Sequence, residues 1–386
     1  MTAVKKSIVD AVDDRRQELT AIADQLYHDP ETGLREFRTS ALLIEKLAEN
    51  GFKIERGIAG LETAFRATWG TSGPSIAILA EMDALPAMGH ACGHNIIAAA
   101  AIGAALALRQ SLPEKLARIV VLGTPAEELG IGKFELVKHG AFDHIDFAMM
   151  VHPSSRRQVI KMFLGLARIR FTFFGRSAHA AAYPEEGINA LDAVILTFNG
   201  INALRQQLRQ DVRVHGIITD GGTAPNIIPE RAACYFYVRA DDGEELSRCL
   251  ERVKWCAHGA AEATGCSLEI DADERVLAPM KINRAFSALY SSQLAYLGLE
   301  EANAPADKNK GSSDIGNVSQ VVPTIHPHVP IGNGLHIHSD EFARATVSQK
   351  GKEAVIEGAK TLAMTAAELA LSPEIQEKIK NEFRSL

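Results

Sequence analysis

No stretch of this 386-residue chain stays apolar for the ~20 residues that cross a bilayer. The most apolar run, Asn95 to Leu108, is only long enough for one helix. The first residues, Met-Thr-Ala-Val-Lys-Lys followed by Asp10, Asp13 and Asp14, lack the apolar core of a signal peptide. The five cysteines (92, 234, 249, 256 and 266) are odd in number and show no paired spacing. That suits a reducing compartment, so the expected location is the cytoplasm, with no membrane partner. A basic excess is missing as well. The net charge of -7 argues against nucleic acid, because a polyanion needs a basic face. There is no internal repeat and no low-complexity segment. What remains is ordinary soluble composition, 46% hydrophobic and 23% charged, in a chain long enough for two domains.

Ile8, Val12, Leu19, Ile22 and Leu26 recur at helical spacing, predicting one first helix that ends at His28-Asp29-Pro30. A second helix is expected from Thr39 or Ser40 as cap to Gly51. Strands are predicted over 63–69, 75–80, 118–122 and 147–151, with an alanine-rich helix over 95–110. Apolar strands spaced by helices imply an α/β domain with a buried, mostly parallel sheet. The middle of the chain reads strand 166–174, helix 188–208, strands 212–219 and 232–240, helix 243–264 and strand 267–272. That β-α-β-β-α-β order is the ferredoxin-like α+β arrangement. Helix 283–297, a strand near Val321 to Ile325 and a long final helix resume the first pattern. The expected organisation is a discontinuous catalytic domain, 1–164 and 279–386, with an insertion over 165–278.

Five clusters of metal-type side chains fall at strand ends or in the loops after them, where sites form in open α/β sheets. Glu81-Met82-Asp83 follows the strand 75–80, where Asp83 could equally be a turn residue. In His90-Ala91-Cys92-Gly93-His94, a glycine lets sulfur and imidazole aim at one point, and both are good first-row metal ligands. Glu127 and Glu128 are adjacent after the strand 118–122. Paired carboxylates there are costly unless a cation or a proton separates their roles. One can then bind metal while the other handles the proton of water. His152 follows the run Phe147 to Val151, and His336-Ile337-His338-Ser339-Asp340-Glu341 precedes the last helix. One histidine at a strand end is usually structural; five clusters in like positions make coincidence improbable.

These clusters belong to an ordered set of motifs: MDALP (82–86), HACGHN (90–95), TPAEELG (124–130), VHP (151–153), GRSAHAAAYPEEGINALDA (from 175), GGTAPNIIPERA (from 221), SSDIGN (312–317) and HSDEF (338–342). The set resembles the aminoacylase/carboxypeptidase superfamily of dinuclear metallopeptidases. Within it, the chain looks like the amidohydrolase branch of auxin-conjugate hydrolases, aminobenzoyl-glutamate hydrolase subunits, dipeptidases and aminoacylases. After Cys-Gly-His the chain has Asn95-Ile96-Ile97, where most auxin-conjugate-type members carry aspartate and then histidine. This matches better the subset with aminobenzoyl-glutamate hydrolase subunits and dipeptidase-like members.

The resemblance implies a metal-dependent amidohydrolase that cleaves N-acyl amino acids or small dipeptide-like substrates with two divalent ions, zinc or manganese. Cys92, His94, Glu128, His152 and His338 would ligate the ions, and Glu127 would be general base and later proton donor. Asp83 would orient the cluster. His179 would reach into the partner subunit's site of a homodimer and stabilise the oxyanion. Asn226 and Arg239 would hold the substrate's carboxylate or carbonyl. On the residues alone, His179 is equally a turn residue, Asn226 an Asx-turn, and Arg239 a partner for Asp241 or Asp242. His215 is a further candidate contact. Two other readings use the same fold: hydrolytic deamination of an aromatic amine, and a non-catalytic binding or scaffold protein. The intact paired glutamates argue against the scaffold.

Overall fold

The structure is a computed structural model that describes residues 1–302 and 310–386. The chain divides into two compact units. One comprises Met1–Met162, the stretch from Lys281, and Ser313–Leu386; the other comprises Phe163–Met280 with Lys310–Ser312. The second unit extends two residues beyond the expected insertion at each end and takes in Lys310–Ser312.

The first unit begins with α1 (Thr2–Asp14), α2 (Arg16–His28) and α3 (Phe37–Glu49), followed by strands β1 (Lys53–Arg56), β2 (Phe65–Trp69) and β3 (Ser75–Glu81). Then come α4 (His94–Ser111), β4 (Arg118–Thr124), α5 (Gly132–Lys138), β5 (Phe147–Met149) and β6 (His152–Ser154). The expected single first helix is two. Arg15, at φ -97° and ψ 6°, breaks it. Apolar spacing does not register the break, because Ile8 and Val12 of α1 and Leu19, Ile22 and Leu26 of α2 enter one core. Thr39 and Ser40 are not the cap of α3 but lie buried inside it; Glu36 stands at the boundary.

The second unit contains β7 (Gly165–Phe174), α6 (Ala190–Leu204), β8 (Arg213–Asp220), β9 (Arg231–Ala240), α7 (Gly243–Thr264) and β10 (Ser267–Ala272). Its sheet has the order β10-β7-β9-β8 with every pair antiparallel, which is the ferredoxin-like arrangement. Alternation on β9 puts Ala232, Cys234, Phe236, Val238 and Ala240 into its core.

The chain returns to the first unit with α8 (Arg284–Tyr296), α9 (Ile315–Val321), β11 (Thr324–Ile325), β12 (His328–Pro330), α10 (Asp340–Thr346), α11 (Gln349–Leu371) and α12 (Pro373–Ser385). The strand expected from Val321 is shorter, since Val321 ends α9. The long final helix is likewise two. Ser372, held extended at φ -128° and ψ 85° before Pro373, stops α11, as the proline ring disfavours helical backbone in the residue before it.

The main sheet runs β1-β2-β4-β3-β5-β11. Strands β4, β3, β5 and β11 pair in parallel, and β1 and β2 add an antiparallel edge on the far side from β11. Every residue of β3 is buried, as a strand covered on both faces requires. Helix α4, buried from His94 to Leu108, packs on β3 and is enclosed by α1, α2 and α11. Its alanines let these helices approach closely. At Gly103 an added Cβ would lie 2.7 Å from Leu19 and 2.9 Å from Ala359. Gly103→Val therefore should lower the unfolding free energy by about 1–3 kcal/mol, the usual cost of overpacking, as read from urea denaturation. An unchanged midpoint would show that the three-helix contact yields freely.

Candidate metal centre

Two strand ends of the main sheet, one strand of the separate β6–β12 pair and two loops converge at one place in the first unit. The C-terminal end of β3 delivers Glu81 and Asp83, the end of β4 delivers Glu127 and Glu128, and β6 delivers His152. Between β3 and α4, Gly93 takes φ +84°, and a Cβ there would come within 2.3 Å of Pro153. Glycine thus presses the Cys92–His94 turn onto the strand bearing His152. His338 sits at φ +62°, and its N–H donates to the Ala91 carbonyl at 2.8 Å, fixing that loop beside Cys92. Asn95 ties this corner to its surroundings, its amide donating to the Ala23 carbonyl (3.1 Å) and the Thr346 hydroxyl (3.2 Å).

The side chains meet. Ligand atoms of Cys92, His94 and His152 all lie within 4.8 Å of one another, as do those of Cys92, Glu128 and His338, and those of His94, Glu127 and Glu128. Cys92 Sγ is 3.4 Å from His152 Nε2, and His338 Nε2 is 3.4 Å from Glu128 Oε2. Two triads sharing one sulfur contain all five residues expected to ligate, beside Glu127.

Several polar atoms there are satisfied by no protein group. His94 Nδ1 lies 2.8 Å from the Asp83 carbonyl and 3.1 Å from Asp83 Oδ1, so two acceptors hold its proton on that nitrogen. Nε2 is then the atom left to meet a cation or a second proton; it has no hydrogen-bond partner and lies 3.3 Å from Glu81 Oε2 and 3.9 Å from Glu127 Oε2. Glu128 Oε1 is also buried without a partner. Burial works against charge on His94, but Cys92, Glu81 and Asp83 outweigh it and push its pKa well above the ordinary value. Burial pushes the Cys92 thiol up. A ring nitrogen where the surrounding carboxylates favour positive charge, beside a buried sulfur, is a donor set that a divalent cation fits by displacing the proton, and that water does not fit. Asp83 bonds two members of the set. Its Oδ2 accepts the Glu128 N–H at 3.0 Å while Oδ1 takes His94.

Glu127 lies next to a second group of charges. Glu81, Glu127 and Asp314 converge within 4.8 Å. The fully buried Lys133 ammonium is 2.7 Å from Glu81 and 2.5 Å from Asp314. One ammonium cannot neutralise three carboxylates. Burial, then the nearby Glu81 and Asp314, push the pKa of Glu127 well above that of a free glutamate, with Lys133 opposing. Burial also raises Asp314, to about 6.

Lys133 and Asp314 carried no role in the sequence reading, although Asp314 stands inside SSDIGN; Glu81 stood in the first cluster of metal-type side chains with no role of its own. Lys133 gave no signal beyond a lysine at a helix start. His326 and His328 were also missed. His328 pairs in register with His152 across β12 and β6, and its ring stacks on His152 with centroids 5.3 Å apart. His326 lies 5.3 Å from the same ring. Burial and the neighbouring His152 hold both well below the ordinary imidazole range, so they pack as neutral rings.

His179, Asn226, Arg239 and His215 belong to the second unit. His179 is exposed in a turn that pairs with Ile227, and the Ala180 N–H donates to the Asn226 carbonyl at 3.0 Å. His179 Nδ1 accepts from the N–H groups of Ala181 (3.3 Å) and Ala182 (3.2 Å), which leaves the proton on Nε2. Arg239 is half-buried on β9 and donates to the Ser312 hydroxyl at 3.0 Å, while Asp241 pairs with Arg209 and Lys310 instead. His215 lies exposed on β8, 5.6 Å from the Tyr237 ring. Among the described residues, no helix is long and apolar enough to cross a membrane.

Residues 164–262 match the M20 peptidase dimerisation domain. Over 99% of its length the chain is 37% identical to the Xaa-Arg dipeptidase of Mus musculus, of which it covers 92%. The chain belongs to the M20 peptidase family. It is 33% identical to a p-aminobenzoyl-glutamate hydrolase polypeptide of Escherichia coli, over 79% of this chain and 67% of that one. The fold of this M20 protein matches a dinuclear metal-binding peptidase of the family from Bacillus subtilis, with a TM-score of 0.75, 20% identity and coverage of 93% and 99%. As a family member it is a metal-dependent hydrolase of amide bonds.

Lys133→Met strands Glu81 and Asp314 as buried, unpaired carboxylates. It should lower the unfolding free energy by about 3–5 kcal/mol by chemical denaturation. A loss under about 1 kcal/mol would mean that neutral acids already fill the pocket.

Proposed function

We propose that this M20 enzyme is a homodimeric, two-metal dipeptidase or aminoacylase that hydrolyses the amide bond of a dipeptide or N-acyl amino acid and releases a free amino acid. The observation that carries the reading is the pair of triads sharing Cys92 beside a glutamate whose pKa is raised. The relatives named Xaa-Arg dipeptidase favour a dipeptide with a basic C-terminal residue as the first substrate to try. The dimerisation-domain match supports the dimer, and five free cysteines suit the cytoplasm.

Cys92, His94, Glu128, His152 and His338 hold the two ions, zinc or manganese. When bound, the ions lower the pKa of water and place positive charge beside the amide carbonyl. Glu127 accepts the proton of the attacking water on its carboxylate and returns it to the departing nitrogen, a role its raised pKa suits. Asp83 keeps His94 in the tautomer that offers Nε2. His179 donates its Nε2–H to the carbonyl oxygen as that atom takes up charge, acting across the dimer. Arg239, with Asn226 beside it in role, binds the substrate carboxylate through its guanidinium fork. The Ser312 hydroxyl steadies that fork.

Glu127→Gln should retain metal and lose about 100-fold or more in kcat, assayed by release of free arginine from alanyl-arginine. Ammonia as the product would move the activity to deamination, and full activity would remove Glu127 from its role. A chelator should abolish turnover and lower the Tm, since an ion at ~100 times its Kd contributes about 2.7 kcal/mol to the folded state. Zinc or manganese should restore both. Turnover that persists after the ions are shown to be gone would end the two-metal reading. Inactive His179→Ala and Glu127→Gln chains, mixed, should regain part of the activity if the histidine serves its partner's site.

A further inference from the structure

We propose that Glu36 is a positioning residue for Glu127, holding the left-handed backbone turn at Ala126 that aims the neighbouring carboxylate. The inference rests on the reading of Glu127 as the proton carrier.

Glu36 stands at the N-terminal boundary of α3, fully buried, yet it caps nothing there. Glu31 has taken that task. Its Oε2 accepts the Thr39 N–H at 2.8 Å and its Oε1 accepts the Arg38 N–H at 3.2 Å. The Glu36 carboxylate is thereby free to turn away from its own helix. Its Oε1 accepts the N–H of Ala126 at 2.8 Å, and its Oε2 accepts the hydroxyl of Thr63 at 2.9 Å.

Ala126 sits at φ +55°, where a residue with a Cβ is strained. Left to itself, the peptide would relax toward negative φ and swing the next residue, Glu127. Three contacts oppose that relaxation. The Glu36 carboxylate grips the N–H. Gly33 lies so close that an added Cβ would be 3.1 Å from Ala126 Cα, so the segment 31–36 closes over the turn. Gly132 lets the loop fold back on itself, since a Cβ there would meet the Pro125 carbonyl oxygen at 1.7 Å. The same segment is anchored to the Asp83 loop, with the Ala84 N–H donating to the Glu31 carbonyl at 2.8 Å.

Asp83 reaches the backbone N–H groups of both adjacent glutamates, and Glu36 adds a second hold on the Glu127 side alone. Asp83 Oδ2 holds the Glu128 N–H, on the side of the metal triads. Glu36 holds the turn that precedes Glu127. Loss of Glu36 should therefore damage proton transfer and spare metal binding.

The test uses full-length holoenzyme and measures kcat and KM on alanyl-arginine, bound metal per chain, and Tm. Glu36→Ala should lower kcat by about 10–100-fold, the scale of a catalytic group misplaced by about 1 Å, with KM within about twofold and metal content unchanged. Glu36→Gln, whose amide oxygen can still accept from Ala126, should keep kcat within about threefold. The deciding variant is Glu36→Ala with Ala126→Gly. Glycine adopts positive φ without strain, so kcat should recover at least about fivefold over Glu36→Ala. Tm should stay low, because neither the lost hydrogen bonds nor the emptied space is restored. Should the alanine variant not fold, Glu36→Asp withdraws the carboxylate by one methylene, with the same expectations. Recovery of kcat without recovery of Tm supports positioning. A kcat that follows Tm through the series, or bound metal lost along with kcat, overturns it. Glu127→Gln in the same series separates the two readings. If it is inactive while Glu36→Ala turns over normally, the inference alone falls; if it turns over normally, the proton-carrier reading falls first.

Discussion

The organisation of the first unit depends on a concentration of negative charge at the C-terminal edge of a buried sheet. Glu81, Asp83, Glu127, Glu128 and Asp314 all approach one place, most of them sealed from solvent. Carboxylates so placed repel one another and have lost their hydration, and only positive charge or protons can offset both. The chain answers with Lys133 on one side of Glu127. On the other side it leaves a sulfur and three imidazoles facing carboxylates, an arrangement fit for divalent cations. Glu127 stands between a fixed ammonium and that candidate ligand cluster. Its proton affinity depends on both.

Much of this convergence was legible in the sequence because metal-type side chains in glycine turns and at strand ends leave local marks. Cys92-Gly93-His94 needs its glycine, and Glu127 and Glu128 are conspicuous as neighbours after an apolar strand. The mostly parallel sheet and the ferredoxin-like order of the second unit follow from apolar runs and their spacing. Helix breaks at Arg15 and Ser372 were not visible in apolar period, since both halves of each helix bury residues in the same core.

The supporting residues were hidden for a different reason. Lys133 is ordinary in sequence, a lysine after two glycines, and becomes notable only because folding buries it against Glu81 and Asp314. Glu36 looks like a helix-boundary acid, and its bond to Ala126 spans ninety positions. His328 meets His152 through a parallel strand pair whose members lie far apart in the chain. Pairings of this kind have no spacing rule, so only the assembled topology reveals them.

The closure of the loop after β4 carries a consequence for how such a chain can diversify. With Gly132 seated against the Pro125 carbonyl, the span between them has a fixed number of residues and almost no slack. Insertions and deletions are shut out of that segment, whereas side chains pointing outward from it, such as Leu129, can vary. The span that carries Glu127 thus tolerates a change of side chain more readily than a change of length.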